Sequence, residues 1–427
     1  MTKFTLTALV LAALPSISQA RQPPEREIQL PVPLTCEDDS CLPYVVGTAL
    51  GDVYALTGAV FDRTETPTSL SRFGMVLALG TVNGYFTGSA HEFVHGIEDD
   101  NKQLGFNGFG GIFLDYRGSP SEDYLINEVI TRSSRSLIFQ DGLARGLLRY
   151  AVAEPKDIDD AINFLTNALS SPIYSAFCLV NGLDLEIKNY KDLDRGLRST
   201  CDVKGWETGI NMKYSEPELV IPNGIVLFNE YDLFHVADAE QAAALDLALA
   251  SANLETINAV LEIIDYVRTS DRSYHPLLFN VGGVEFTPPY FSFDFTPHGA
   301  AVRGGVVFKV AEGTTATLDI MSTPDALDFK LGPGHAHRQG LSVDGIPLYE
   351  GSFSVKGSVS AAISEYLPGS GNSDHVGYEL EAEVKVDVGD FSIVPEVTVS
   401  QNDLPYSVLT YDPGLAVNPF LTFGYKL

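Results

Sequence analysis

The stretch Tyr378–Val388 reads YELEAEVKVDV and alternates between apolar and polar residues without a break. Successive side chains of a β-strand point to opposite faces of the sheet. The alternation therefore predicts a strand with one buried apolar face and one wet polar face. Residues 353–359 alternate in the same way, with Phe353, Val355 and Val359 set against Ser354, Lys356 and Ser358.

This period of two extends over the C-terminal part of the chain, from about residue 272 onward. We therefore expect residues 272–427 to form an antiparallel β-sandwich or barrel-like domain. The final apolar residues also alternate: Leu421, Phe423, Tyr425 and Leu427. Such an ending is typical of the closing strand of bacterial outer-membrane barrels, but a helical middle region and a single Trp favour a soluble domain.

The residues before 272 predict a mixture of strands and helices, so the expected fold class is α+β. Segments 44–50, 53–60 and 73–79 are rich in Gly, Val and aromatic residues and are interpreted as short strands. Helical spacing begins after Asp157, with apolar residues at Ile158, Ile162, Leu165 and Leu169.

The expected organisation has three parts after a signal peptide. Residues 21–43 form a Pro-rich extended leader, residues 44–271 form a first domain with a helical second half, and residues 272–427 follow as the β-rich domain. A second helical stretch is expected over residues 237–267. The acidic group Asp157, Asp159 and Asp160 lacks the spacing of a calcium loop and is interpreted as a helix N-terminus.

Residues 1–20 have the parts of a secretory signal peptide: Lys3, an apolar stretch over residues 4–14, and Ser18-Gln19-Ala20 before the expected cleavage site. The chain carries a formal net charge of −29, with acidic residues spread along its length. Such a charge repels nucleic acid and anionic membrane surfaces. We expect an exported protein, secreted or at the cell surface, with no nucleic-acid partner; membrane association is not favoured.

Four cysteines form two local pairs along the sequence. In an exported protein the spacing predicts disulfides between Cys36 and Cys41 and between Cys178 and Cys201. A cysteine-based zinc site is not expected, because no C-x2-C spacing occurs.

Residues 90–97 read AHEFVHGI and contain an HExxH motif. On a helix, His91 and His95 lie on one face and can direct their imidazoles at a single ion, while Glu92 lies beside them. This arrangement predicts a bound Zn²⁺ whose water is deprotonated by Glu92. We therefore expect a zinc-dependent endopeptidase that acts on a protein or peptide substrate.

The motif resembles that of the zincin metallopeptidases, because apolar residues separate the two histidines and Ile97 follows Gly96. Residues 125–132, LINEVITR, are similar to the Asn-Glu helix of the gluzincin branch. The resemblance implies a zincin-like domain with Glu128 as the third zinc ligand, and Glu122 is the competing choice. It also implies an oxyanion-stabilising side chain, for which Tyr116, Tyr124 and Tyr150 are candidates.

Two alternatives remain open from the sequence. Residues 85–95 can be read as a strand without a metal, and the protein is then a non-catalytic, β-rich surface or lipid-binding protein, or an outer-membrane-associated barrel. His335 and His337 stand two apart in a Gly- and Pro-containing stretch, which favours a solvated turn over a metal site. The sequence does not indicate an oligomeric state.

Overall fold

The computed structural model describes most of the chain. The described ranges are 26–34, 42–95, 102–107, 111–116, 126–154, 156–181, 203, 205–207, 210, 239–296, 299–328, 332–368, 375–402 and 414–427.

The helices whose bounds fall within the described ranges are α1 (Leu42–Asp62), α2 (Ser69–His95), α3 (Ile126–Ala153), α4 (Ile158–Ala168), α5 (Ser170–Asn181), α6 (Ala239–Ala252) and α7 (Leu254–Thr269). The two predicted helical stretches are confirmed: α4 covers the first, and α6 with α7 covers the second.

The strands expected at 44–50, 53–60 and 73–79 are wrong, because these segments belong to α1 and α2. Gly, Val and aromatic residues favour strands only weakly, and tertiary packing overrides that preference. Both helices carry apolar residues around most of their circumference, so no helical stripe distinguished them from buried strands. The helix N-terminus expected at Asp157 is confirmed: its backbone N–H donates to Asp160 at 3.3 Å, and α4 begins at Ile158.

The strands within the described ranges are β1 (Glu27–Pro33), β2 (Lys102–Asn107), β3 (Gly111–Tyr116), β4 (Lys156–Asp157), β5 (Ser273–Tyr274), β6 (Phe279–Val281), β7 (Val284–Phe286), β8 (Tyr290–Thr296), β9 (Gly299–Ala311), β10 (Thr314–Asp328), β11 (Gly332–Glu350), β12 (Ser354–Pro368), β13 (His375–Val388), β14 (Phe391–Asn402) and β15 (Gly414–Lys426). The expectation of a large antiparallel, β-rich C-terminal region next to helices is confirmed.

Eleven of these strands form one sheet in the order β1-β15-β14-β13-β12-β11-β10-β9-β7-β6, with β8 also paired to β9. From β9 to β15 each strand pairs with the next along the chain. Short turns join β9 to β10 and β13 to β14, and Gly313 and Gly389 in them have φ of 72° and 63°, which glycine adopts without strain. We call this the short-turn end; β1 begins and β15 ends there, because Glu27 pairs with Lys426.

One hydrophobic core joins the helices to the sheet. It contains residues from α1 to α4, from α7 and from strands β5, β8 and β9: Phe61, Leu79, Leu148, Ile158, Ile162, Tyr266, Tyr274, Tyr290 and Val307 are among them. The core therefore crosses residue 272, where the change of sequence period predicts a domain boundary.

The start of β1 is fixed to the helices by a buried arginine. Arg26 Nε lies 2.8 Å from the Asp62 carboxylate, and its two terminal nitrogens donate to Asp159 at 2.8 and 2.9 Å. Gly58 in α1 leaves the space that the guanidinium occupies, since a Cβ there would overlap Arg26. Residues 27–33, expected to be an extended leader, thus form an edge strand of the main sheet.

We expect Arg26→Met to lower the free energy of unfolding by about 3–5 kcal/mol, because it leaves Asp159 buried without its counter-charge. Urea unfolding of the purified protein measures the loss. Arg63→Met, at an exposed position just after α1, is the matched control. Equal stability of the two variants would contradict a structural role for the Arg26 ion pairs.

Candidate functional site

The HExxH motif lies at the C-terminal end of α2, which runs through His95. His91 and His95 are therefore four residues apart on a helix, and the alternative of a strand over residues 85–95 is wrong. His91 is 2% exposed, and its ring lies 4.6 Å from that of Tyr174 in α5. The helical spacing that a two-histidine zinc site requires is present.

The other predicted ligands are described only in part. Glu128 belongs to the first turn of α3, while the side chains of Glu92, His95 and Glu128, and all of Glu122, lie outside the described residues. Among the side chains that the structure does describe, no group of three His, Cys, Asp or Glu is arranged to hold a metal ion. Zinc binding therefore stays a prediction.

The candidates for oxyanion stabilisation are equally untested. Tyr150, near the end of α3, places its ring 2.9 Å from Lys156 Nζ, and burial lowers the pKa of that lysine to about 8. Tyr116 ends strand β3, and Tyr124 lies outside the described residues. The two predicted disulfides also lie outside the described residues, since the structure does not describe the side chains of Cys36, Cys41, Cys178 and Cys201.

The described residues present a second candidate site, the outer face of the main sheet. We define the outer face as the side that points away from the helices. Its side chains are apolar and exposed: Leu380 is 48% exposed and Ile363 60%, and Leu30, Val302, Leu318, Ile320, Leu341, Val359, Val384, Ile393 and Phe423 share this face. The prediction that β13 buries its apolar side chains and exposes its polar side chains to water is wrong.

The inner face of the same sheet carries a layer of ion pairs. Arg303 on β9 lies 2.7 Å from Asp294 and 3.7 Å from Asp319. Arg338 on β11 lies 3.4 Å from both Asp319 and Glu379, and so extends the layer to β13. We call these five residues the charge layer.

Helix α3 supplies partners from the opposite side of this interior. Arg145 and Arg149 are one helical turn apart, and they donate to Ser292 at 3.4 Å and Ser342 at 3.3 Å. Arg149 also lies 3.8 Å from Asp344. Further along the inner face, Lys385 forms an ion pair with Glu27 of β1. The charged face of the sheet thus points toward the helices.

Different kinds of residue border the apolar outer face at the two ends of its strands. At the short-turn end it carries exposed aromatic pairs: Tyr349 lies 4.7 Å from Phe353, and Phe391 lies 5.1 Å from Tyr425. At the opposite end, His335, His337 and Glu365 follow on the same face, and His337 pairs with Glu365 across β11 and β12. The turn expected at His335 and His337 is wrong, because both lie within β11.

The apolar band between these ends has the dimensions of a lipid bilayer. On β13 its exposed apolar side chains extend from Val388 to Val376, and a rise of ~3.3 Å per residue gives roughly 40 Å along the strand. At the strand tilt of ~45° found in membrane barrels, this corresponds to a height of about 28 Å, between their apolar band of ~25 Å and the bilayer hydrocarbon core of ~30 Å.

Among the helices, the stretch Val45–Asp62 of α1 is long and apolar enough to cross a membrane, as is the bent pair α6 and α7 taken together. Helices in the core of a soluble protein pass the same test.

Comparison with known proteins adds no relative. No protein-family model matches the chain, and neither a curated protein nor a solved structure resembles it at a significant level.

The charge layer makes the sheet sensitive to acid. Burial acts to raise the pKa of Asp319, but Arg303, Arg145 and Arg338 outweigh it and hold that pKa below its ordinary value. An aspartate with a lowered pKa in the folded state stabilises the fold above its unfolded pKa, and this contribution is lost as the pH falls through the folded value.

We therefore expect Asp319→Asn to destabilise the protein at pH 7, and the difference from wild type to shrink as the pH falls below about 4. Denaturant unfolding between pH 3 and pH 7 measures this difference. Asp390→Asn, in the exposed turn after β13, serves as the control. A difference that does not change with pH would show that the Asp319 charge is not what stabilises the layer.

Proposed function

We propose that the protein is an exported, membrane-embedded β-sheet protein whose outer sheet face contacts lipid acyl chains. The observation that carries this proposal is the reversal of the sheet faces, with charges turned toward the helices and apolar side chains turned outward. In water, a soluble protein rarely exposes so continuous an apolar surface. In a bilayer the same distribution is the stable one, since charged side chains are costly on the lipid face.

The boundaries of the apolar band support lipid rather than a second protein as the occupant. Tyr collects at membrane–water interfaces, and girdles of aromatic residues border the apolar band of membrane barrels; exposed Tyr and Phe rings lie at the short-turn end. Ionisable side chains reappear on the outer face at its other end, with His335 and Glu365. A band of bilayer height between an aromatic border and a polar border fits two water interfaces.

The edge strand β1 is compatible with this environment. An unpaired backbone N–H is costly in hydrocarbon, but Gln29 N–H at this edge donates to the Asp52 carboxylate of α1 at 2.6 Å. Helix α1 also lies along β1. The predicted signal peptide agrees with export to a membrane of the cell envelope.

Leu380→Arg tests the proposal, because its expected cost depends on the surroundings of the outer face. In lipid, an arginine near the middle of the apolar band costs roughly 2–4 kcal/mol; at a water-exposed position the cost stays within about 0.5 kcal/mol. The measurements are recovery in the membrane fraction after alkaline washing and urea unfolding in phospholipid vesicles. Asp390→Arg, in the turn beyond the band, is the control.

Two outcomes would oppose the proposal. One is a wild-type protein that is fully soluble and monomeric without detergent, and the other is a Leu380→Arg variant as stable as the control in vesicles. A detergent-free protein that forms a defined dimer through the outer face would instead identify a second copy of the chain as its occupant.

We propose a second activity, zinc-dependent peptide hydrolysis, because α2 keeps the two histidines of HExxH at helical spacing. His91 and His95, with Glu128 or Glu122, would hold the ion, which supplies Lewis acidity to a bound water. Glu92 would accept the proton of that water and return it to the leaving amine.

Elemental mass spectrometry of the purified protein checks this second proposal. We expect about one zinc per chain, as in catalytic zinc sites, lost in His91→Ala and retained in the control His335→Ala. A peptide library then reports cleavage. Wild-type protein that stays folded but takes up no zinc when the metal is offered would exclude the peptidase.

A further inference from the structure

A small cavity lies where α3, α4, α6 and α7 meet strand β8. Its volume is about 40 Å³, room for a few water-sized groups at ~10–15 Å³ each. Three carboxyl groups line it, from Asp141, Asp246 and Glu255, together with Arg145. The rings of Phe164 and Phe291 complete the wall.

Hydrogen-bond acceptors in this cavity lack donors. Glu255 is 2% exposed, and its Oε1 has no hydrogen-bond partner among the described residues. The Thr256 hydroxyl, on a residue 5% exposed, is also without a partner among the described residues. Asp246 accepts one hydrogen bond, from Ser171 at 3.0 Å. Buried polar groups left in this state are costly and rare.

The chemistry of the lining selects a small cation that carries N–H donors. Carboxylates and a hydroxyl offer acceptors, and aromatic rings attract organic cations to their faces. Within the described side chains the carboxyl groups do not form a metal-binding set. Arg145 contributes the one cation among the lining residues described, and its Nη1 donates to Ser292.

We propose that this cavity binds a small primary ammonium group, with Asp141 and Asp246 as counter-charges and the Thr256 hydroxyl as a further acceptor. This site is independent of the lipid contact on the outer face, because it lies on the helical side of the sheet.

Binding is expected to strengthen as the pH rises. Burial raises the pKa of Asp246 to about 7. Burial, with Asp246 and Asp294 nearby, raises the pKa of Asp141 well above its usual range, against the opposing effect of Arg145 and Arg303. Because the empty site then holds protons near neutral pH, a bound cation must displace them.

Methylammonium is the probe for a titration of the full chain, folded in detergent or vesicles, followed by the NMR line width of the ¹³C-labelled methyl group. Because methylammonium has only two non-hydrogen atoms, we expect a Kd on the order of 10 mM. We expect saturable binding that strengthens between pH 6 and pH 8, and about tenfold weaker binding by Asp141→Asn. Asp390→Asn, far from the cavity, retains wild-type affinity.

Thr256→Val keeps every charge and removes one acceptor, so a several-fold weaker affinity is expected even if Asp141→Asn fails to fold. Tetramethylammonium, which has no N–H group, tests for hydrogen bonding and should bind much more weakly. Absence of saturable binding by the wild type, or equal binding of the two cations, would overturn the proposal.

Discussion

The charge layer between the sheet and the helices is the constraint on which the architecture depends. Arg303, Asp319 and Arg338 lie on neighbouring strands and neutralise one another in the interior. Because strand side chains alternate, placing these residues inside forces their neighbours outside. The exposure of Leu318, Ile320 and Leu341 is thus a direct consequence of burying the ion pairs.

Helix α3, like the sheet, directs charged side chains into the space between the helices and the sheet. Asp141, Arg145 and Arg149 recur every four residues, so they form one polar stripe along the helix, and this stripe meets the inner face through Ser292 and Ser342. The apolar residues Ala144, Leu148 and Ala151 belong to the hydrophobic core instead. Two polar surfaces therefore face each other, and ion pairs between their side chains offset the free-energy cost of removing the charges from water.

The sequence predicts local structure better than it predicts orientation. The alternation of residues 378–388 identified β13, because a period of two has no other simple explanation. It could not indicate which face is buried, since a strand embedded in lipid and a strand on a soluble core have the same period. The partners Arg303 and Arg338 come from separate strands, and their pairing with Asp319 depends on register, which the pattern alone does not specify.

In the helical region, the sequence predicts a helix correctly only where clear helical signals are present. Asp157 and the spacing after it identified α4 because capping and a single apolar stripe agree. Helices α1 and α2 lack both signals, and their Gly and Val content suggested strands. The HExxH spacing nevertheless placed His91 and His95 correctly on a helix, whereas the ligand set depends on side chains from distant segments.

The large negative charge of the chain and its apolar outer face are compatible because they occupy different surfaces. The inner face of β13 carries three partly buried glutamates in a row: Glu379, Glu381 and Glu383. Glu379 has a counter-charge, because Arg338 pairs with it. For Glu381 and Glu383, burial instead raises the pKa of the carboxyl group. These three glutamates lie on the inner face, whereas other acidic residues, such as Asp390 in the turn after β13, are exposed. A high net charge therefore does not exclude a lipid-facing sheet, and the distribution of charge between the two faces is the more informative property.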